Sequence, residues 1–293
     1  MTKLTLSSPL AGIRQPVRIL PDFIIIGAMK AGTTTLYDHL AGHPEVGMSR
    51  EKETDFFVAE KNWSRGLDWY QSQFEPGYAC YGEASPNYTK APTFDGVASR
   101  IKALVPDCRF IFICRDPVER AVSQYRHAVL SGQPIPAPEG LPGTADLDHL
   151  IETSAYGAQI AAYLAHFDLD RFLFLEFESL VSDPSRVLSD VAQFLGIRDD
   201  WPKLRKVAAN SSDNIARLPL WVFRLRSNPA FARLTEALPR GARSRVKALL
   251  RRKQARTVAP IGPDLRDAIA AQLRDDIARF RDVTGMPFSH WSI

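Results

Sequence analysis

The run Phe23-Ile24-Ile25-Ile26-Gly27-Ala28-Met29-Lys30-Ala31-Gly32-Thr33-Thr34-Thr35 constrains the fold of this chain more than any other. Its apolar opening, Asp22–Gly27, reads as a strand buried on both faces, the kind that lies inside a parallel sheet. Two glycines then bound a short turn, and Leu36 and Leu40, at i and i+4, mark a helix over Thr34–Ala41. A buried strand feeding such a turn at a helix N-terminus makes an anion cradle. Unpaired backbone N–H groups and the positive end of the helix dipole converge on one phosphate. Lys30 adds a full charge, and Thr33, Thr34 and Thr35 add hydroxyl donors. A turn that merely needed glycine would leave the lysine and the threonines unexplained.

Short apolar runs alternate with helical patterns through the first half, which predicts an α/β chain. The expected architecture is a P-loop-like three-layer fold, with a central, mostly parallel sheet flanked by helices. Tyr78–Gly82 is a weaker strand candidate, and Arg109–Cys114 and Phe172–Phe177 are strong ones. Helices are expected over Phe94–Leu104, Val118–Leu130, Ser154–Phe167, Pro184–Leu195 and Asp264–Thr284. Pro117 suits the first turn of its helix, and Gly196 and Gly285 stand just past helix ends. Gln133–Asp146, with Pro134, Pro136, Pro138 and Pro142, reads as a loop placed to cover a site. Residues 1–20 look irregular, and 21–293 read as a single domain with a basic, helical region at about 221–260. Trp221–Arg256 carries eleven Lys and Arg against the single Glu236, and is read first as a solvated face.

The cradle differs from the ATP-type pattern G-x-x-x-x-G-K-[ST]. Gly27 and Gly32 keep its interval, but Thr33 stands where that pattern has its lysine, which here sits upstream at Lys30. A Walker-B strand would end in a metal-binding aspartate. Strand 109–114 runs instead into Arg115 before Asp116. The cradle therefore reads as one that handles a phosphate without magnesium.

A second constellation is Arg115-Asp116-Pro117-Val118-Glu119-Arg120-Ala121-Val122-Ser123-Gln124-Tyr125. An arginine at the carboxyl end of a parallel strand points into the crevice where such sheets bind ligands. Its planar fork suits a phosphate, which Ser123, two turns along the next helix, can share. The plain alternatives are an ion pair of Arg115 with Asp116 or Glu119, and a packing role for Ser123. Two phosphate sites on neighbouring strand ends imply a nucleotide phosphorylated at two places.

Composition narrows the remaining classes. Cys80, Cys108 and Cys114 are an odd set without a C-x-x-C pair, which argues against a disulfide framework and for a reducing compartment. A formal charge of +4 tilts partners towards anions without indicating nucleic acid. No apolar run approaches the length of a membrane span, and no secretory leader is evident, so the expectation is a soluble, cytoplasmic chain. The histidines show no metal-ligand spacing, and no metal site is expected; His39 and His43, at i and i+4, lack an acid–base partner.

MKAGTTTL after its strand, then REKETDFF, GEASPNY and RDPVERAVSQY, together resemble the sulfotransferases that use 3′-phosphoadenylyl sulfate (PAPS). The carbohydrate branch, with heparan sulfate sulfotransferases and bacterial relatives, is the most similar. The likeness runs on through Tyr156-Gly157, LEFESLVSDPSRVLSDVAQFLG and RFRDVTGMPFSHW. The resemblance implies that Lys30, Ala31, Gly32, Thr33, Thr34 and Thr35 hold the 5′-phosphosulfate, and that Arg115 and Ser123 hold the 3′-phosphate. It further implies Glu53 as catalytic base, Lys30 as a catalytic cation, PAPS as co-substrate and a carbohydrate or other hydroxyl or amine acceptor. Read without the family, Glu53 belongs to a charge run, Arg50-Glu51-Lys52-Glu53, next to an anchoring Phe56-Phe57 pair.

Departures bear on the acceptor. Asp55 stands where the family often has histidine, and Ala84 where it often has lysine. Asn210, Ser211, Ser212 and Arg217 are the candidates for closing the nucleotide site near the C-terminus. Two other readings compete: a P-loop small-molecule kinase, which would need magnesium, and a non-catalytic nucleotide- or polyanion-binding protein, which would need no base.

Overall fold

The computed structural model describes residues 19–202 and 257–293. Its centre is a five-stranded sheet, in which β1 (Phe23–Gly27), β2 (Val46–Met48), β3 (Cys80–Ala84), β4 (Arg109–Cys114) and β5 (Phe172–Glu176) take the order β2-β3-β1-β4-β5. Every pairing is parallel. β1 lies in the middle, with Phe23 opposite Gly82 on one side and Arg109 on the other. Gly82 has no substitute there, since a Cβ would stand 2.2 Å from the Phe23 ring.

The side chains of each strand alternate between two apolar layers, as strand geometry requires. On one face Ile24, Ile26, Phe110 and Phe112 meet Ile101, Tyr156, Ile160 and Phe280. These come from α3 (Val97–Leu104), α6 (Tyr156–Leu164) and α9 (Pro263–Thr284). On the other face Phe23, Ile25, Ile111 and Ile113 meet Leu36, Leu40, Leu188 and Val191, from α1 (Thr33–Leu40) and α8 (Pro184–Leu195). The three-layer α/β expectation is met.

Helix ends follow local chemistry. α4 (Pro117–Ser131) starts with Pro117, and the Asp116 carboxylate accepts the N–H groups of Val118 and Glu119, both at 2.9 Å. Gly132, Gly196 and Gly285 end their helices in the left-handed region. α6 is capped from a distance: Asp276 on α9 accepts the N–H of Gly157 at 2.7 Å and of Ala158 at 2.8 Å. That contact ties the C-terminal helix to the layer over β4.

The sequence expectations differ from the structure in several places. The weak strand falls at Cys80–Ala84 rather than Tyr78–Gly82, because Tyr78 is exposed and packs edge-on against Tyr81. β2 was missed, since Val-Gly-Met carries too little pattern to read. The expected loop 133–146 holds through Thr144 apart from one short turn at Pro138–Gly140, and ends two residues early at α5 (Ala145–Glu152), opened by the Thr144 hydroxyl as cap. The helix expected from Phe94 begins behind Gly96, and the one expected over Ser154–Phe167 is shorter at both ends. Short helices α2 (Gly66–Gln71) and α7 (Phe177–Ser182) were not anticipated. The basic segment 221–256 lies outside the described residues.

Among the described residues no helix is long and apolar enough to cross a membrane. Asp276→Ala should cost about 1.5–3 kcal/mol, the range for hydrogen bonds to a charged group. Urea denaturation measures it, and an unchanged midpoint would contradict the tie.

Candidate active site

The site forms where β1 and β4 end at the carboxyl edge of the sheet. After Gly27 the chain turns through Lys30, at φ 71, and Gly32, at φ 96, before α1 begins. Gly32 is fixed twice, by that backbone angle and by the Phe177 ring, which a Cβ would meet at 2.8 Å. Within the turn Ala31 N–H donates to Ala28, and Thr35 and Leu36 N–H donate to Gly32. The N–H groups of Gly32, Thr33 and Thr34 have no hydrogen-bond partner among the described residues. They are the free donors of a helix N-terminus. Ala31 is buried with its N–H already used, so it shapes the turn and the donors are its neighbours.

Lys30 enters this edge half-buried, with its pKa lowered to about 8. Burial is the main cause, followed by the charge of Arg115. Arg115 leaves β4 with its main chain held by Tyr156, whose hydroxyl donates to the Arg115 carbonyl at 2.9 Å. Its guanidinium lies 5.0 Å over the Phe177 ring and 3.7 Å from Glu119, and its Nε is buried without a partner. The ion pair with Glu119 is thus long, and Glu119 also bonds Arg266. Ser123 sits half-buried one turn beyond Glu119, its hydroxyl without a hydrogen bond to a described residue. Lys30, the free N–H groups of Gly32–Thr34 and the unpartnered Nε of Arg115 therefore come together at one edge.

Glu53 stands on the same edge, its side chain half exposed and 2.8 Å from Lys52. Lys52 in turn reaches the Thr33 hydroxyl at 3.5 Å, which links the base candidate to the cradle. Burial works against the charge on Glu53. The Lys52 contact, with Lys90 and Lys61 behind it, outweighs that and holds the carboxyl below its ordinary value. Glu53 is ionised at neutral pH.

The sequence reading missed several neighbours. Lys52 stood in plain view inside the charge run. His127 lies one turn past Ser123, a spacing that places both on one helix side. Burial and the charge of Lys30 push it down to about 4, so it is neutral at pH 7. Lys90 is lowered to about 8 by burial, then by Lys61 and Arg120, while Glu53 and Asp55 act the other way. Its side chain makes no hydrogen bond or ion pair with a described residue, and nothing in the sequence marked it. Arg120 is fully buried, bonded to Ser154 at 2.6 Å, Gln124 at 2.6 Å and the Leu150 carbonyl at 2.7 Å. It has no carboxylate partner among the described residues.

Other candidates are structural. Asp55 is buried, with Lys61 at 2.6 Å and Asn87 at 2.8 Å on its carboxylate. Ala84 is buried in the core, and His43 bonds the Arg198 carbonyl at 2.9 Å. Among the described residues no group of three or more His, Cys, Asp and Glu side chains forms a metal-ligand set. Asn210, Ser211, Ser212 and Arg217 lie outside the described residues.

With this geometry in place, comparison with known proteins is specific. A family model described as "Sulfotransferase domain" matches residues 20–217. Mouse heparan sulfate glucosamine 3-O-sulfotransferase 3A1 is 34% identical over 189 residues, covering 61% of this chain and 46% of that protein. The bifunctional heparan sulfate N-deacetylase/N-sulfotransferase 1 of Caenorhabditis briggsae is 27% identical over 203 residues, 61% of this chain and 23% of its own. The chain thus spans half or less of the length of these curated relatives. A sulfotransferase crystal structure from Alicyclobacillus acidocaldarius shares the fold, with a TM-score of 0.66 and 23% identity. It covers 94% of this chain and 100% of its own.

Lys30 provides a direct test of the cradle. A lysine with a free pKa of about 8 grips an anion only when protonated, and a bound anion raises its pKa. Affinity for sulfate, whose charge is constant over this range, should be full below pH 8 and fall as pH rises through it. Calorimetry from pH 6 to 9 should show that decline in the wild type and its loss in Lys30→Arg, which stays charged. A decline that survives the arginine would assign it elsewhere.

Proposed function

Because the chain belongs to the sulfotransferase-domain family, we propose that it transfers a sulfuryl group from PAPS to a hydroxyl or amino group of a carbohydrate acceptor. The observation that carries this reading is the meeting of an unpaired cradle, Lys30 and Gly32–Thr34, with Arg115, whose buried Nε has no partner, and an ionised Glu53 at one sheet edge. PAPS supplies the activated sulfuryl group. In this reading Lys30, the free N–H groups and the threonine hydroxyls bind its 5′-phosphosulfate, and Arg115 with Ser123 binds its 3′-phosphate. The orphan Nε of Arg115 and the depressed pKa of Lys30 fit anionic ligands, which would satisfy the first and raise the second.

Glu53 takes the proton of the acceptor hydroxyl or amine as its oxygen or nitrogen bonds to sulfur. The bond from sulfur to the 5′-phosphate oxygen breaks in line with that attack. Lys30 and the N–H groups neutralise the charge that grows on the departing oxygen, and adenosine 3′,5′-bisphosphate leaves. By analogy with phosphoryl transfer, positioning and electrostatics do most of the work. Cationic side chains fill the neutralising role, so the scheme requires no metal.

The names of the heparan sulfate relatives support a carbohydrate acceptor. Lys90, an ammonium coupled to Glu53 and without a described partner, supports an acceptor that carries an anionic group. The kinase reading loses ground because Thr33 occupies the lysine position of the ATP-type loop. We read residues 21–293 as one transferase domain, supported by the packing of α9 over β4. We read the protein as cytoplasmic, supported by three buried, unpaired thiols.

Transfer from radiolabelled PAPS to a panel of sugars tests the reaction itself. Glu53→Gln should lower turnover by about 10²–10⁴-fold, the usual cost of a lost general base, while affinity for adenosine 3′,5′-bisphosphate stays near wild type. Near-normal turnover would return Glu53 to a solvated charge run.

Arg115→Ala should weaken adenosine 3′,5′-bisphosphate binding by about 2–5 kcal/mol and leave AMP binding little changed. Equal wild-type affinity for the two nucleotides would sink the 3′-phosphate assignment.

A further inference from the structure

Residues 49–62, which carry Glu53, form neither helix nor strand. A base on such a stretch needs some other means of holding its direction, because small misplacements of a reacting group are costly. Before Glu53 the chain is held by Ser49, whose hydroxyl donates to the Glu51 carbonyl at 2.7 Å. After Glu53 it is held by an unusual centre, the fully buried carboxylate of Glu83 on β3.

Glu83 accepts four hydroxyls. The Thr54 and Ser85 hydroxyls, the latter at 3.0 Å, donate to one oxygen. Tyr70 at 2.6 Å and Tyr88 at 3.0 Å donate to the other. A hydroxyl that gives its single proton to a carboxylate keeps its lone pairs free. Three of these hydroxyls spend them on consecutive amides. Asp55 N–H donates to Ser85 at 3.1 Å, Phe56 N–H to Thr54 at 3.4 Å, and Phe57 N–H to Tyr88 at 3.2 Å. Asn62 adds a bond to the Thr54 carbonyl at 2.7 Å.

We infer that Glu83 is a positioning residue for Glu53: through the hydroxyls of Thr54, Ser85 and Tyr88 its carboxylate fixes the backbone immediately after the base. The inference rests on the proposed role of Glu53 as base. Both oxygens matter here, because each receives two hydroxyls and an amide would keep only one oxygen as acceptor. An amide would set two hydroxyls against an NH2, and those hydroxyls would turn away from the amides they now receive. Burial raises the Glu83 pKa, and hydrogen bonds from Thr54, Tyr70, Tyr88 and Ser85 pull against that rise. A carboxyl group buried among four hydroxyls, with no cation bonded to it among the described residues, is placed for geometry more than for stability.

Glu83→Gln should lower kcat by about 10- to 100-fold, with affinity for adenosine 3′,5′-bisphosphate within about twofold of wild type. Thr54→Val removes one hydroxyl beside the base and should give the same split, while Thr54→Ser restores it; this pair decides the matter if Glu83→Gln does not fold. A second readout is independent of turnover. NMR titration of Glu53 should give a pKa below the ordinary 4.5 in the wild type, where Lys52 pairs with it. The value should rise in Thr54→Val as Glu53 swings away from Lys52. Wild-type kcat and an unmoved Glu53 titration in Thr54→Val would overturn the inference, and so would a parallel loss of nucleotide affinity. Failure of the wild type to transfer sulfuryl groups would sink the proposed function, while the titration still judges the clamp.

Discussion

The fold depends on one unmet need, the backbone N–H groups left over where β1 turns into α1. A helix cannot satisfy its own first donors, and here the turn uses those of Ala31, Thr35 and Leu36 and leaves three between them free. Gly32–Thr34 are left facing the edge of the sheet, where Lys30 and Arg115 add charge rather than relief. Parallel strands put this edge at one end of the molecule, and the helices packed on both faces keep water from the rest. The architecture therefore leaves at this edge a cluster of donors open to water or to an anion.

Glu53 faces a different constraint. It lies on irregular chain, so its direction cannot come from a helix or a strand. The chain around it borrows rigidity from β3, by way of a buried carboxylate and a set of hydroxyls. Tyr70 and Tyr88 in that set also pack against Phe57, and Tyr70 stacks on Phe56 at 4.2 Å. Polar orientation and aromatic packing thus act on the same few residues.

The sheet and cradle were legible because their signals are local. A buried strand, glycines at a fixed interval and a helical repeat all lie within one short run, and Arg115 follows its strand directly. Where reading failed, the cause was distance or brevity. β2 is three residues long, and Tyr78 looked like a strand residue only because aromatic side chains favour strands. Lys90 and His127 gain their character from burial beside charges far away in sequence, and no spacing encodes that. Ala31, named with the cofactor-binding residues, has its own N–H engaged by the Ala28 carbonyl within the turn. The Glu83 network joins residues from three separate segments, and only the folded chain shows that their hydroxyls converge.

Arg120 carries a consequence of another kind. Its guanidinium is sealed from solvent, spends its bonds on neutral acceptors, and is held to a pKa of about 10, chiefly by burial. It stays charged at every physiological pH and is out of reach of mobile salt, which screens surface charges but hardly touches buried ones. The protein thereby keeps a permanent positive potential behind its cleft, felt at both Lys30 and Lys90. The cleft is polarised before anything arrives, and its positive potential belongs to the interior of the molecule as much as to its surface.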